Sequence, residues 1–239
     1  MKSEMYSTFA NEYDDVIQDN IYNAYLERPT LQAMLPVLTD LDVVDLGCGS
    51  GVYAQHLLAN GVKKVTCIDY SSEMVELVNI KASKVGVTEK VTAYAQDLSK
   101  GLPQEVDASA DLVISPLMIH YLEDLSPLFS DVHRVLKAGG VFVFSTHHPF
   151  ADFECSTTGN YFERERVTEK WDTVGVPVEV SFYRRSLTEI MNALTENGLA
   201  VTQISEGEVL EKVKEISPEK YEYLSKNPNF IFIKCQKLD

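Results

Sequence analysis

The residues with the clearest chemical potential lie in the run Asp45-Leu46-Gly47-Cys48-Gly49-Ser50-Gly51. Glycine at alternate positions lets a backbone turn sharply and come close to a ligand with no Cβ in the way. A helix starting just after it presents free N–H groups, which suit an anionic or polar group. The spacing is GxGxG. It lacks the lysine of a GxxxxGK[ST] phosphate loop, and the third glycine of a GxGxxG dinucleotide fingerprint would fall on Val52. Taken alone, the loop also fits a tight strand-to-helix turn that binds nothing.

Acids at strand ends come next. Asp69 ends an apolar run, where a carboxylate can accept hydrogen bonds from both ribose hydroxyls of a nucleoside. Asp97 follows a third run, within reach of an adenine amino group, with Leu98 beside it to pack on the ring. Any one of these aspartates by itself reads as a solvated loop acid. Asp45, Asp69 and Asp97, each at the carboxyl end of a successive strand, form a pattern.

Base chemistry near neutral pH falls to histidine. His120 follows the fourth strand, and His147 and His148 follow the fifth, so all three are candidates to face a reacting group. His148 is the first choice, because the following Pro149 restricts its backbone. The alternative is that these histidines bond backbone groups or anchor a loop. Arg28, Arg184 and Arg185 can pair with a carboxylate or stand as surface charges, and Arg28 is favoured for binding. Tyr6, Tyr13, Tyr22, Tyr25, Tyr161, Phe162, Trp171 and Tyr183 can enclose a flat acceptor or form ordinary core.

The elements that must position these groups alternate. Strands are expected at 43–46, 64–69, 91–95, 111–115 and 141–144, with two more at 199–205 and 230–235. Ser71 and Gly86 bracket a helix carrying Met74, Val78, Ala82 and Val85 on one face, and Ser186-x-x-Glu189 opens another. A helix from Ser126 is expected to end at Gly139-Gly140. The pattern predicts an α/β fold: a doubly wound, mostly parallel, seven-stranded sheet with helices on both faces. Ligands in such sheets lie beyond the carboxyl ends of the strands, where strand order reverses. An N-terminal helical segment (1–37) and an aromatic-rich cap insertion after the fifth strand (147–185) complete one domain over 1–239. The cap is expected to contain a hairpin turning near Gly175-Val176-Pro177.

Composition narrows the classes. The 239 residues carry 36 acids against 21 bases, a formal charge of −15, which disfavours binding to a phosphate backbone. No run of ~18 apolar residues exists to span a membrane, and the start has no signal-like core, so a cytoplasmic setting is expected. The four cysteines show no zinc spacing, so no metal site and reduced thiols are expected.

The order Asp45-Leu-Gly-Cys-Gly-Ser-Gly51, Asp69, Asp97, Asp111-Leu-Val-Ile-Ser115 and Leu136-Lys-Ala-Gly-Gly140 resembles the class I S-adenosylmethionine (SAM)-dependent methyltransferases. Asn23-x-Tyr25-x-Glu27-Arg28-Pro29, Ser145-x-x-His148-Pro149, Tyr161-Phe162, Trp171 and Phe182-Tyr183-Arg184-Arg185 resemble a bacterial small-molecule subgroup of that family. The resemblance implies the Rossmann-like methyltransferase fold, SAM as cofactor and S-adenosylhomocysteine (SAH) as product. It further implies that Asp45, Gly47, Gly49, Ser50 and Gly51 border the methionine part and that Asp69 holds the ribose. Met74 and Leu98 would sandwich the adenine beside Asp97, and Ser115 and Pro116 would lie next to the methyl group. Tyr70, Arg28 and Tyr13 complete the expected cofactor set. The expected reaction is in-line transfer of a methyl group to a small-molecule acceptor. A nicotinamide-dependent oxidoreductase on a similar sheet and a non-catalytic SAM-binding regulator are the alternatives.

Overall fold

The computed structural model describes residues 3–238; positions 1, 2 and 239, the outer ends of the expected domain, lie outside the described residues. Among the described residues nine strands form: β1 (Asp42–Leu46), β2 (Lys64–Asp69), β3 (Val91–Ala95), β4 (Ala110–Ser115), β5 (Leu136–His147), β6 (Glu165–Trp171), β7 (Val178–Arg184), β8 (Leu199–Ser205) and β9 (Phe230–Lys237). Seven of them make one sheet in the order β3-β2-β1-β4-β5-β9-β8. The pairs among β1 to β5 are parallel, and β9 runs antiparallel to both β5 and β8.

The apolar strands are explained by burial on both faces. Val44 and Leu46 of β1, with Val113 of β4, pack toward the helices Ser126–Val135 and Leu187–Glu196. Val43, Leu112 and Ile114 point the other way, into a layer with Leu31, Leu57 and Val78 from the helices Arg28–Met34, Val52–Ala59 and Ser72–Val85. Local signals set the boundaries: the Ser71 hydroxyl accepts from the Met74 N–H at 3.2 Å, and Gly86 closes that helix at φ 72°.

One boundary differs from the sequence expectation. The helix from Ser126 stops at Val135, not at Gly139-Gly140, and β5 begins at Leu136. The reason is long-range. Ala108 and Ser109 donate their N–H groups to the carbonyls of Arg134 and Val135, and Leu136 pairs with Ala110. Neighbouring backbone thus takes over the last helical carbonyls.

Between β5 and the helix Leu187–Glu196 lies the cap, whose β6 and β7 form a separate antiparallel hairpin. Its alternation divides the two faces. Val167, Val178, Val180 and Phe182 are buried, and the last three lie near Met5 and the stacked ring of His147. Arg166, Thr168 and Lys170 point the opposite way, across from Tyr183, Ser181 and Glu179. The root of the cap is held by Arg184, which is 1% exposed and pairs with Glu165, while Glu165 also accepts from Ser156 and Thr157.

The sheet's central packing rests on three rings. Phe142 lies 4.9 Å from Phe144 and 5.7 Å from Phe129 between centroids, and all three are fully buried. Phe142→Ala is expected to cost about 3–5 kcal/mol of folding stability. Equilibrium unfolding in denaturant checks this, and a loss below about 1 kcal/mol would mean that the rings are not a packed unit.

Candidate active site

Strand order reverses between β1, whose chain continues outward to β2, and its other neighbour β4. A cavity of about 1000 Å³ opens there, over the carboxyl ends of the parallel strands. The glycine loop forms one wall. Gly47 and Cys48 donate their N–H groups to the Ile68 carbonyl at 2.8 and 3.1 Å, which ties the loop to the end of β2. Gly47 stands at φ 71°, and a Cβ there would overlap the Met118 side chain. Gly49, at φ 52°, has open space where a Cβ would stand, so its backbone is free to receive a ligand closely. Gly51, at φ 82°, opens the helix Val52–Ala59 and lies behind the wall against Val78.

Asp69 closes the loop from the other side. Its carboxylate accepts from the Gly49 N–H and the Ser71 N–H, each at 2.9 Å. Asp97 and Leu98 line the cavity beyond it, with Asp97 accepting from the Ser99 N–H and hydroxyl at 3.1 and 2.7 Å. Ser50, Tyr70, Pro116, Arg28 and Tyr13 also lie on the wall. The Ser50 hydroxyl donates to Asp14, which pairs with Lys81 at 2.6 Å. Arg28 uses one nitrogen on the Ile17 carbonyl at 2.8 Å.

Besides Gly51, three members of the expected cofactor set sit behind the wall. Met74 is fully buried under its helix, so Tyr70 and Leu98 are the apolar side chains of this region that reach the cavity. Asp45 and Ser115 are likewise fully buried, and neither Asp45 oxygen nor the Ser115 hydroxyl has a hydrogen-bond partner among the described residues. Burial, then the charges of Asp69 and Glu27, push the Asp45 carboxyl up to about 8.

Glu27 is the site residue that the sequence reading gave no role. It is 3% exposed, lines the cavity, and accepts from the Tyr53 hydroxyl at 3.0 Å and the Ser145 hydroxyl at 2.7 Å. Burial raises its carboxyl to about 7 against those two bonds and the nearby Arg28 charge. Its signal was a lone acid in a helical run; only the fold brings it to Ser145 and Tyr53. Tyr121 was missed too. Its hydroxyl bonds that of Tyr6 at 2.6 Å, and with Tyr13 these rings form an aromatic wall.

The three candidate histidines lie elsewhere. His148 caps the short helix Pro149–Asp152, accepting from the Phe150 N–H at 3.1 Å, and its other ring nitrogen meets Glu206 at 3.0 Å. His120 and His147 stack on each other at 3.8 Å behind the hairpin, against Phe182. Burial and the neighbouring His147 hold His120 well below 6.5, so it is neutral. Each ring is spent on packing the root of the cap, and none lines the large cavity. The same holds for much of the expected acceptor enclosure. Trp171 packs on His147 and Phe182, Tyr161 accepts from the Leu187 N–H, Arg184 is paired with Glu165, and Arg185 bonds the Leu122 carbonyl. Tyr183 alone of the cap aromatics reaches the cavity, beside Arg166, Thr168, Lys170 and Ser181.

The cofactor implied by the sequence fits these groups. A ribose suits Asp69, a flat base suits the surface beside Leu98 and Asp97, and a cationic sulfonium suits a cavity lined by Glu27 and Asp69 with Asp45 buried behind its wall. A pyrophosphate at the same loop would meet the carboxyls of Glu27 and Asp69.

Comparison with known proteins agrees. A family model described as a methyltransferase domain matches residues 44–144. A Haemophilus influenzae protein of uncharacterised function is 26% identical over 231 residues, covering 91% of this chain and 89% of its own. The 27-O-demethylrifamycin SV methyltransferase of Amycolatopsis mediterranei is 29% identical over 200 residues, 77% of this chain and 70% of its own. The crystal structure of a SAM-dependent methyltransferase from Mesorhizobium loti superposes with a TM-score of 0.71 at 27% identity, over 92% of this chain and 100% of that one.

The raised carboxyls have a cost in the ligand-free protein. Their protonated forms are favoured by folding, so the stability they confer is full below the ordinary carboxylate range and lost as pH rises through about 7 and about 8. Between about pH 6.5 and 8.5 the ligand-free protein should lose on the order of 2 kcal/mol, and Glu27→Gln should flatten that fall. Thermal melts across this range, wild type against variant, give the answer; parallel curves would mean Glu27 is ionised throughout.

Proposed function

The chain belongs to the class I SAM-dependent methyltransferases, and from that premise we propose that it methylates a small molecule held between the aromatic wall and the β6–β7 hairpin. When bound, the cofactor supplies a methyl carbon already activated by a sulfonium, ready for in-line displacement. Asp69 takes the ribose hydroxyls, Asp97 and Leu98 take the adenine, and Gly47 and Gly49 let the methionine part lie against the backbone.

The observation that carries the acceptor reading is the size and lining of the cavity. At about 1000 Å³ it reaches the upper end of the range for a single small-molecule site, which leaves room for a second ligand. Besides the glycine loop and the acids, the wall carries two further groups: the rings of Tyr6, Tyr13 and Tyr121, and the hairpin residues Arg166, Thr168 and Lys170 with Ser181. That mixture suits an acceptor with both an apolar body and polar groups. The rifamycin-modifying relative supports the small-molecule class, and the charge of −15 opposes a nucleic-acid acceptor. Among the described residues no helix is long and apolar enough to cross a membrane.

What the chain's residues contribute is alignment and exclusion of water. Together these can supply about 7–11 kcal/mol of barrier lowering with no catalytic side chain. That is consistent with a cavity whose wall carries no histidine. The phenols of Tyr6 and Tyr13 are pushed well above 10, chiefly by burial, so they act as neutral hydrogen-bonding groups. The buried acids disfavour the oxidoreductase alternative, because a dinucleotide would set its pyrophosphate among them.

Titration calorimetry with SAH, and with NADH as the control, tests the cofactor site: one-to-one binding of SAH alone is expected. Incubating the protein with methyl-labelled SAM and a fractionated cell extract tests the acceptor. Label in the small-molecule fraction is the expected outcome; label confined to protein or RNA would overturn the acceptor class.

A further inference from the structure

We infer that Glu27 determines specificity for the charge on the cofactor's sulfur, so that the site holds the sulfonium form in preference to the neutral thioether product. The inference rests on the SAM reading above. It is carried by geometry: two acidic side chains from different elements, Glu27 and Asp69, line the cavity, a third, Asp45, is buried behind its wall within reach of both charges, and the positive charge around them is small. Glu27 comes from the N-terminal helical segment, Asp45 from the end of β1 and Asp69 from the end of β2. Asp45 is fully buried, and both its oxygens lack a partner.

The groups facing this cluster leave it negative. Arg28 is the cation that acts on Glu27, and one of its nitrogens is engaged by the Ile17 carbonyl. Lys81 is bound to Asp14 at 2.6 Å. Tyr6, Tyr13, Tyr53 and Tyr121 have phenols raised by burial, and the Cys48 thiol is raised by its bond with Cys67 and by burial, so all are neutral near pH 7. Asp69 keeps two backbone N–H donors. Glu27 keeps two hydroxyl donors, and the direction of one is fixed: Ser145 accepts from the Leu117 N–H at 3.0 Å and turns its own proton to Glu27. These bonds favour the ionised carboxylate, burial favours the protonated one, and the balance falls at about 7. A ligand that brings a unit of positive charge tips that balance to the carboxylate, and Glu27 releases its proton.

Methyl transfer then reverses the advantage. The sulfur–methyl bond breaks with its electron pair left on sulfur, the methyl–acceptor bond forms, and the acceptor's proton is released. The ligand left in the cavity is one positive charge poorer. Glu27 regains a proton, and the product is held less tightly than the cofactor was.

Titration calorimetry of the full chain with SAM and with SAH, from about pH 6 to 8.5 in phosphate and in Tris, tests this. In wild type, SAM affinity should rise by up to about tenfold per pH unit below about 7 and then level, with proton release seen as a buffer-dependent heat. SAH should rise less, so the SAM-to-SAH preference should grow several-fold across the range. Glu27→Gln should lower that preference about tenfold and remove its pH slope, and Tyr53→Phe, which deletes one donor to Glu27, should move the midpoint upward. Parallel pH curves for SAM and SAH, or an unchanged slope in Glu27→Gln, would overturn the inference and leave the cofactor assignment intact. Failure of wild type to bind either compound would overturn both. If Glu27→Gln does not fold, the wild-type slopes and the Tyr53→Phe midpoint still decide.

Discussion

The Asp69 carboxylate is the contact on which the site depends, because it joins two backbones with one side chain. One oxygen takes the N–H of Gly49 in the loop after β1, and the other takes the N–H of Ser71 at the start of the helix after β2. With the Gly47 and Cys48 N–H groups on the Ile68 carbonyl, this fixes the glycine loop over the end of β2. The loop's unusual φ values then cost little, since three of its residues that turn left-handed are glycine. A carboxylate with two charge-assisted backbone bonds is rigid, and a rigid acid at the floor of a cavity is a fixed hydrogen-bond acceptor for whatever enters.

Around that floor the walls are assembled from distant parts of the chain. The N-terminal segment brings Tyr6, Tyr13, Glu27 and Arg28, the loop after β4 brings Pro116 and Tyr121, and the hairpin brings the alternate residues Arg166, Thr168 and Lys170. The hairpin can face the cavity with polar groups because its opposite face is anchored. Val178 and Val180 pack with Met5, and Phe182 meets the stacked pair His120 and His147. The histidines thus serve the roof by packing, and the neutral state of His120 suits a buried apolar contact.

What the sequence made legible follows the reach of each signal. The strands, the glycine loop and the acids at strand ends depend on patterns a few residues long, and the structure has them where the period places them. Gly51 and Gly86 stand at the helix ends where a left-handed residue is needed. The start of β5 was misplaced because Ala108 and Ser109, far back in the chain, capture the carbonyls that would have continued the helix. His148 was drawn to the site by its place after a strand, yet the chain turns at that point and the ring caps the next helix. Glu27 was overlooked because nothing beside it in the sequence announces Tyr53 or Ser145. Long-range contacts decide such residues, and their period is that of the fold.

The place of β9 bears on how the chain can be made. This strand is late in the sequence but interior in the sheet, where it covers the outer edge of β5 and is the partner through which β8 joins. During synthesis, β1 to β5 can pair as they emerge, but the β5 edge, carrying Phe142 and Phe144, stays open until Phe230–Lys237 arrives. An open edge with apolar side chains is a template for pairing with other chains. The nascent protein therefore passes through a stage in which most of the nucleotide-binding half is built and its sheet is still unsealed.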